Sequence, residues 1–428
     1  MSKVLIIGSG GREHAIVWAI QNTAVAPIEI FCVPGNAGIA QLAQTANISV
    51  DDHAGLVSFA ESRNIDLTFV GPEAPLAAGL VDLFTERGLP IVGPSAAGAR
   101  LEASKIFAKD FMSRHKVPTA AYRVAESPQH AIECLRSGEF GSAQSPVVIK
   151  ADGLAAGKGV VVAGNHAEAE RAIQDLMVEH VAGRDAAQRV VLEEALTGPE
   201  ASLLLFTDGR DYALMPAARD HKRIGENDTG PNTGGMGTIT DASVLIKGIQ
   251  DRVVREIVEP TLAGAREEGF PFKGVLFLGL MLTADGPKLL EYNVRFGDPE
   301  TQAILVRLKT DLLSVFDSIQ RQTLGDLKVE WSEGSSACVV AANKGYPGNY
   351  EKGAIIEGLD AVEQDAVQVF HAGTVRDTNG RFTATGGRVL GVTAAAESLP
   401  PALELCYESL KKIHWPGMQF RRDIGRSR

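Results

Sequence analysis

The chain has 428 residues, a length typical of about three domains, and its 45% hydrophobic and 22% charged residues are ordinary for a globular protein. Its net charge of −11 argues against non-specific nucleic-acid binding, which requires a basic surface. We see no signal peptide, no apolar run near the ~20 residues of a membrane span and no disulfide framework among the four cysteines, so we expect a cytoplasmic protein without nucleic-acid or membrane partners.

The first hundred residues alternate apolar strands with helical patterns. Strands are predicted at residues 3–7, 28–33, 66–70 and 90–92, and helices at 12–21 and 96–115. This alternation predicts a parallel sheet with helices on both faces. We place the end of this N-terminal domain near residue 104.

A glycine-rich turn, residues 8–14, joins the first strand to the first helix. Its backbone N–H groups at a helix start favour an anionic ligand such as a phosphate. A dinucleotide fingerprint would need a third glycine where Glu13 stands, so a dehydrogenase is disfavoured. A tight turn without any ligand stays open as the alternative.

The middle of the chain mixes strands and helices. Strands are predicted at 147–150, 160–163, 190–194 and 201–206, a hairpin at 274–283 and 288–294, and helices at 167–182, 243–268, 300–309 and 311–321. The turn pair Asp285-Gly286 favours the hairpin. We expect a central domain over 105–326 with a smaller subdomain at about 122–195. The remainder, 327–428, shows short strands, glycine turns and one late helix at 399–412.

The loop at residues 150–159 combines lysines with small residues. Lys150 ends one predicted strand and Lys158 precedes the next, so both can neutralise phosphate charge. Small residues let the loop bend over a ligand; its glycines are Gly153, Gly157 and Gly159. A hairpin tip with incidental lysines is an equally good interpretation. The loop is not a Walker motif, because Gly159 follows Lys158.

Two further features are informative only in combination with the 150–159 loop. Lys105, on a predicted helix, is a second possible phosphate ligand, although most helical lysines are simply solvated. The strand end at 191–196, with Glu193 and Leu196, can offer backbone groups to an adenine, and Glu200 can accept from ribose hydroxyls. A solvated turn is the common alternative for such a segment.

The segment 290–300 gives the strongest single signal. Glu291 and Asn293 are two apart on a predicted strand, so their side chains share one face. Both offer oxygen ligands, which Mg²⁺ requires, and Arg295 would continue that face. Asp298 would cap the following helix. The alternative is a charged strand edge beside an ordinary helix cap.

Between these features lie two polar loops. The first, residues 220–223, begins with Asp220. The second, residues 230–237, contains Asn232, Gly234 and Gly235 and is too glycine-rich for regular structure. Its free backbone donors suit close contact with a small ligand, although a flexible surface loop would look the same.

Taken together, these motifs resemble the glycinamide ribonucleotide synthetase (phosphoribosylamine–glycine ligase) family of ATP-grasp enzymes, in order and nearly end to end. The matching segments are 8–15, 35–38, 71–76, 150–160, 220–223, 230–237, 290–300 and 370–374. The resemblance implies a parallel-sheet N-terminal domain, an ATP-grasp centre with a small lid domain, and a β-rich C-terminal domain.

The resemblance also implies the chemistry. ATP would phosphorylate the glycine carboxylate, and the amine of 5-phosphoribosylamine would then attack glycyl phosphate. Lys105 and Lys150 would hold phosphates, Glu291 and Asn293 would hold Mg²⁺ or Mn²⁺, and Arg295 would stabilise transferring charge. The turn from Gly10 through Gly11 and Arg12 to Glu13 would receive the 5′-phosphate. Asp220 and the 230–237 loop would lie near glycine. A monomer is favoured over a homodimer.

Two other functions remain in play. Another ATP-grasp enzyme with a different acceptor would share the metal and lysine positions, but the segments at 220–223 and 230–237 favour the first assignment. A non-catalytic nucleotide sensor need not keep a full set of phosphoryl-transfer groups.

Overall fold

The N-terminal part of the chain is a five-stranded sheet in the order β3-β2-β1-β4-β5. The computed structural model describes residues 1–155, 159–181, 183, 186–362 and 366–426. The central strand contains four fully buried residues in succession, Val4 to Ile7, as expected for a parallel strand covered on both faces. The predicted parallel sheet is confirmed. Its elements are β1 (Ser2–Gly8), α1 (Gly11–Thr23), β2 (Ile28–Pro34), β3 (Gln44–Thr45), α2 (His53–Arg63), β4 (Leu67–Val70), α3 (Glu73–Ala77), α4 (Leu80–Glu86) and β5 (Ile91–Val92).

The single helix predicted over 96–115 is wrong. Two helices, α5 (Ala96–Ala103) and α6 (Lys105–Arg114), meet at Ser104, whose backbone is extended. The Ser104 hydroxyl accepts from the Phe107 N–H (3.1 Å) and donates to the Asp152 carboxylate (2.8 Å). A side-chain cap of this kind starts a new helix. The break therefore ties the start of α6 to the 150–159 loop.

A four-stranded antiparallel sheet, in the order β6-β9-β7-β8, forms the lid. Its core is apolar, with Val147, Ile149 and Leu192 fully buried. The helix predicted over 167–182 ends at Met177. Gly157 and Lys158 lie outside the described residues. The lid elements are β6 (Tyr122–Ala125), α7 (Pro128–Arg136), β7 (Val147–Ala151), β8 (Val160–Ala163), α8 (His166–Met177) and β9 (Val190–Glu194).

A ten-stranded sheet forms the centre and continues into the C-terminal part. The hairpin across Asp285-Gly286 is confirmed, but the helix predicted over 243–268 starts at Lys247 and contains a π-helical turn, Val254–Val258. The central elements are β10 (Glu200–Asp208), β11 (Tyr212–Leu214), β12 (Ala218–Asp220), β13 (Arg223–Gly225), β14 (Thr229–Asn232), β15 (Gly237–Thr240), α9 (Lys247–Val253), α10 (Glu259–Glu267), β16 (Lys273–Thr283), β17 (Gly286–Asn293), α11 (Glu300–Leu305) and α12 (Leu312–Arg321).

The C-terminal part is rich in strands, as predicted. Its first strand pairs with β15 of the centre, so the large sheet crosses the predicted boundary near residue 326; the domain boundaries stay a prediction. Within the described residues, no helix is long and apolar enough to cross a membrane. The elements are β18 (Ser335–Asn343), β19 (Ala354–Ile355), β20 (Gln368–His371), β21 (Thr374–Arg376), β22 (Phe382–Ala384), β23 (Arg388–Ala396), α13 (Leu399–Leu410) and β24 (Met418–Gln419).

Two buried histidines join the N-terminal and C-terminal parts. The His14 Nδ1 on α1 accepts from the backbone N–H of His371 on β20 at 2.8 Å. Burial lowers the pKa of His14 to about 3 and that of His371 to about 4, so both rings are neutral at pH 7. This contact fixes β20 against the helix that begins at the glycine turn.

Acidification should therefore weaken the fold. The unfolded imidazoles take up protons below a pKa of about 6.5 and the folded ones do not, so stability is complete above that pH and falls below it. From pH 7 to pH 5, each histidine should cost about 2 kcal/mol of unfolding free energy. His14→Asn keeps a hydrogen-bond acceptor but removes one imidazole. In urea titrations, its unfolding free energy should therefore fall less than that of wild type between pH 7 and pH 5, by roughly the contribution of one histidine.

The matched control is His130→Asn at an exposed position, which should keep the wild-type pH dependence. If His14→Asn loses as much stability as wild type between pH 7 and pH 5, His14 is not held neutral in the folded state.

Candidate functional site

A cavity of about 1490 Å³ lies between the lid, the central sheet and the C-terminal part. Its size suits a nucleotide together with a second small molecule. Predicted nucleotide-side residues that line it are Lys105, Lys150, Gly159, Glu193, Leu196 and Glu200. The other predicted residues in its wall are Arg12, Asp220, Asn232, Gly234, Glu291, Asn293 and Arg295. The structure thus brings together residues that lie far apart in the sequence.

Five predicted site residues do not belong to the cavity wall in the described part of the chain: Gly10, Gly11, Glu13, Gly153 and Gly235. Gly153 follows β7 and packs against Ala186, because a Cβ added to Gly153 would lie 2.8 Å from the Ala186 Cα. Gly235 has a φ of +110°, and an added Cβ would lie 2.7 Å from the Asp220 carboxylate. These two glycines permit close packing behind the cavity.

The Glu13 carboxylate turns inward and shapes the N-terminal turn. It accepts from the Gly10 N–H at 2.6 Å and from the Arg12 Nε at 2.6 Å, and its side chain is buried. The Arg12 Nη1 in turn donates to the Phe296 carbonyl at 3.0 Å. The sequence pattern did not foresee this arrangement, in which Glu13 holds the turn and Arg12 reaches the cavity.

Glu291 and Asn293 lie on β17 and both face the cavity, as predicted from their spacing. Desolvation opposes the charge of Glu291, but Lys222, Lys105 and Lys150 lower its pKa, so it is ionised. No described group donates a hydrogen bond to its carboxylate. The Asn293 Oδ1 accepts from the Arg295 Nη2 at 3.2 Å and keeps a second lone pair.

These two oxygen donors fit a divalent cation that is shared with phosphates. Within the described residues, no cluster of three or more His, Cys, Asp or Glu side chains could hold a metal by itself. Mg²⁺ commonly takes one or two protein oxygens and completes its shell with phosphates and water. The donor set therefore fits Mg²⁺ or Mn²⁺ bound together with a nucleotide.

Arg295 reaches the cavity by a different route from the predicted one. The strand ends at Asn293, so Arg295 does not continue its face. Its guanidinium is held by the carboxylates of Glu102 (2.7 Å) and Glu73 (3.3 Å). This pairing fixes the position of the Arg295 guanidinium at the end of β17.

Asp298 does not cap the following helix as predicted. The helix α11 begins at Glu300, with Pro299 before it. The Asp298 carboxylate instead accepts hydrogen bonds from the backbone N–H of Arg12 (3.4 Å) and from the side-chain amide of Gln302 (2.9 Å). It thereby connects the N-terminal turn to the cavity.

Lys150 is buried and paired. Its Nζ lies 3.0 Å from the Glu193 Oε1 and donates to the Leu290 carbonyl at 3.1 Å. A second lysine, Lys109, lies 2.9 Å from the Glu193 Oε2, and burial lowers its pKa to about 8. We did not predict Lys109, although it follows Lys105 by four residues and so shares its helix face.

Acidic groups crowd the opposite wall of the cavity. Burial raises the pKa of Asp220 well above its usual value, and the neighbouring Glu300 raises it further. Burial likewise raises the pKa of Glu300. Lys222 pairs with Glu200 at 3.0 Å and faces the same space. This wall can therefore accept both a cation and a proton.

The C-terminal part supplies cavity residues that the sequence analysis missed, among them Arg388 and Tyr346. The Arg388 guanidinium donates to the carbonyls of Gly234 and Asp298 and lies 3.4 Å from the Asp298 carboxylate. The Tyr346 hydroxyl accepts from the Gly234 N–H at 2.9 Å. Both residues hold the 230–237 loop in place by hydrogen bonds to Gly234. They belong to segments of the chain that share no motif with that loop.

Family models agree with this architecture. The phosphoribosylglycinamide synthetase N domain matches residues 2–102, its ATP-grasp (A) domain matches 103–301, and its C domain matches 336–427. A biotin carboxylase domain of the Hydrogenobacter thermophilus 2-oxoglutarate carboxylase shares the fold, with a TM-score of 0.72 at 16% identity over 98% of this chain and 91% of that one.

Curated relatives cover nearly the whole chain. The phosphoribosylamine–glycine ligases of Vibrio parahaemolyticus and Pseudomonas aeruginosa are each 48% identical, over 99% of this chain and 97% of theirs. The phosphoribosylamine–glycine ligase structure from Thermotoga maritima has a TM-score of 0.84 at 33% identity, over 98% of this chain and 99% of that one. From its sequence and its fold, the chain belongs to the phosphoribosylglycinamide synthetase family.

Proposed function

We propose that this chain uses ATP to join glycine to 5-phosphoribosylamine, which yields glycinamide ribonucleotide, ADP and phosphate in purine biosynthesis. One observation carries the proposal: Glu291 and Asn293 share a cavity with Lys105 and Lys150. The names of the full-length relatives support the choice of substrates. We further propose that the chain acts as a monomer.

The nucleotide would lie between the lid and the central sheet. Lys105 and Lys150 would hold phosphate oxygens, and Glu291 with Asn293 would hold Mg²⁺ or Mn²⁺. When bound, the metal supplies positive charge to the phosphates. Arg295, fixed by two carboxylates, would stabilise charge on the transferring group.

The rest of the nucleotide would contact the lid. The backbone from Glu193 to Leu196 would meet the adenine, and Glu200 the ribose. The 150–159 loop would close over the phosphates and keep water away; its assigned residues are Gly153, Gly157, Lys158 and Gly159.

The acceptor would occupy the other end of the cavity. The N-terminal turn would receive the 5′-phosphate, with Arg12 in the cavity wall and with Gly10, Gly11 and Glu13 acting through the shape of that turn. Asp220 would lie near glycine, together with the 230–237 loop that contains Asn232, Gly234 and Gly235.

Catalysis would proceed in two steps. A glycine carboxylate oxygen attacks the γ-phosphorus, and the bond from that phosphorus to ADP breaks, which gives glycyl phosphate. The ribosylamine nitrogen then attacks the acyl carbon, a C–N bond forms and phosphate leaves with the former carboxylate oxygen. The nitrogen releases a proton. Phosphoryl transfer needs positioning and charge neutralisation more than a protein nucleophile, and this cavity is built to supply both.

Oxygen-18 tests this order of events. Glycine labelled on both carboxylate oxygens should deliver a labelled oxygen to each phosphate released, as read by mass spectrometry. Product formation with unlabelled phosphate would exclude glycyl phosphate.

Arg388→Met should raise the KM for glycine by ~10-fold or more, because a lost charge-assisted hydrogen bond costs about 1.5–3 kcal/mol. Its guanidinium fastens the Gly234 carbonyl, so the 230–237 loop should loosen while the Kd for ATP changes little. Steady-state kinetics and ATP titration measure the two effects. The control is Arg381→Met, which removes an exposed arginine of the same C-terminal part. An unchanged KM for glycine in Arg388→Met would show that the 230–237 loop does not depend on the hydrogen bond from Arg388.

A further inference from the structure

Two buried lysines share a single carboxylate beneath the nucleotide end of the cavity. The Glu193 Oε2 lies 2.9 Å from the Lys109 Nζ, and its Oε1 lies 3.0 Å from the Lys150 Nζ. The side chains of Lys109 and Glu193 are each 2% exposed, and that of Lys150 is 7% exposed. These three groups therefore interact with little screening by water.

Both lysines are anchored on the strand that carries Glu291. The Lys150 Nζ donates to the Leu290 carbonyl at 3.1 Å. The Lys109 Nζ donates to the Thr119 hydroxyl at 2.7 Å, and that hydroxyl donates to the Leu289 carbonyl at 2.6 Å. Lys109 is thus fixed in place and cannot swing out toward a ligand without losing several contacts.

The charge of the cluster explains why two lysines are present. Two ammonium groups and one carboxylate leave a net charge of one positive unit beside the phosphate end of the cavity. Without Lys109, Glu193 and Lys150 would neutralise one another, and little positive charge would remain for an anion. Buried ion pairs of this kind have strong effects on neighbouring charges.

We propose that Lys109 is a positioning and charge-balancing residue: it occupies Glu193 so that Lys150 keeps its positive charge available to the nucleotide phosphates. This inference rests on the proposed ATP-dependent function. Lys109 acts through Glu193 and Lys150 and need not touch the nucleotide itself.

Binding of MgATP to the full-length wild type and four variants tests the proposal by calorimetry. Lys109→Met should raise the Kd by ~10-fold, because the net charge of the cluster falls to zero. Lys109→Gln removes the same charge but keeps hydrogen-bonding capacity, and it should weaken binding equally. The double variant Lys109→Met with Glu193→Gln restores one net positive charge and should recover most of the lost affinity. The control is Lys116→Met, at an exposed position just after α6, the helix that carries Lys109. This variant should bind MgATP as wild type does.

The rescue by the double variant separates charge from packing. If Lys109 only fills space, removing a second buried polar group cannot improve binding, so a double variant as weak as Lys109→Met overturns the inference. Wild-type affinity in both Lys109→Met and Lys109→Gln overturns it as well. Absence of MgATP binding by the wild-type chain would instead refute the proposed function.

Discussion

Glu291→Gln should lower turnover by ~10³-fold, as expected when a main electrostatic contribution to a phosphoryl-transfer site is removed. The change keeps the size of the side chain but removes the ionised carboxylate whose pKa Lys222, Lys105 and Lys150 lower against desolvation. The metal would then have only neutral amide oxygens from the protein. Because no described group donates a hydrogen bond to this carboxylate, its loss should leave the fold intact. ADP release at saturating substrates and the thermal melting temperature measure the two expectations.

A higher concentration of Mg²⁺ or Mn²⁺ should restore part of the activity of Glu291→Gln, since the remaining ligands bind the metal more weakly. The control is Glu404→Gln, at an exposed position on α13, which should be fully active. Wild-type turnover by Glu291→Gln at low Mg²⁺ would remove Glu291 from the site.

Lys150→Met should raise the Kd for MgATP by ~10–100-fold, because it deletes a buried ammonium that faces the phosphates. The loss should exceed that in Lys109→Met, since Lys150 would contact the nucleotide directly. Glu193 keeps Lys109 as a partner at 2.9 Å, so the lid is expected to stay folded. Calorimetric titration with MgATP gives the affinity, and circular dichroism tests the fold.

The control for Lys150→Met is Lys247→Met, which changes a lysine whose side chain is 89% exposed. That variant should bind MgATP as wild type does. An unchanged Kd in Lys150→Met would refute a phosphate contact by Lys150.

Short-range patterns predicted much of this molecule. The apolar run in β1 could be recognised because a strand buried on both faces needs no alternation. The shared face of Glu291 and Asn293 followed from the two-residue period of a strand. Such features depend on neighbouring residues only, and the structure contains them as predicted.

Features that depend on distant residues could not be predicted in this way. The helix break at Ser104 depends on the Asp152 carboxylate, 48 positions away. Arg388 meets Gly234 across 154 positions, and no local pattern marks either residue as a partner of the other. The inward position of the Glu13 side chain could not be predicted either, because the hydrogen bonds that it accepts from Gly10 and Arg12 form only once the turn has folded. The roles assigned to individual site residues remain predictions.

The most direct test of the whole account is ADP release by the wild-type chain in the presence of ATP and Mg²⁺, with glycine and freshly generated 5-phosphoribosylamine varied independently. We predict that ADP release saturates with each of the two substrates and that glycinamide ribonucleotide forms in equal amount. ADP release that responds to neither substrate would contradict the proposed function.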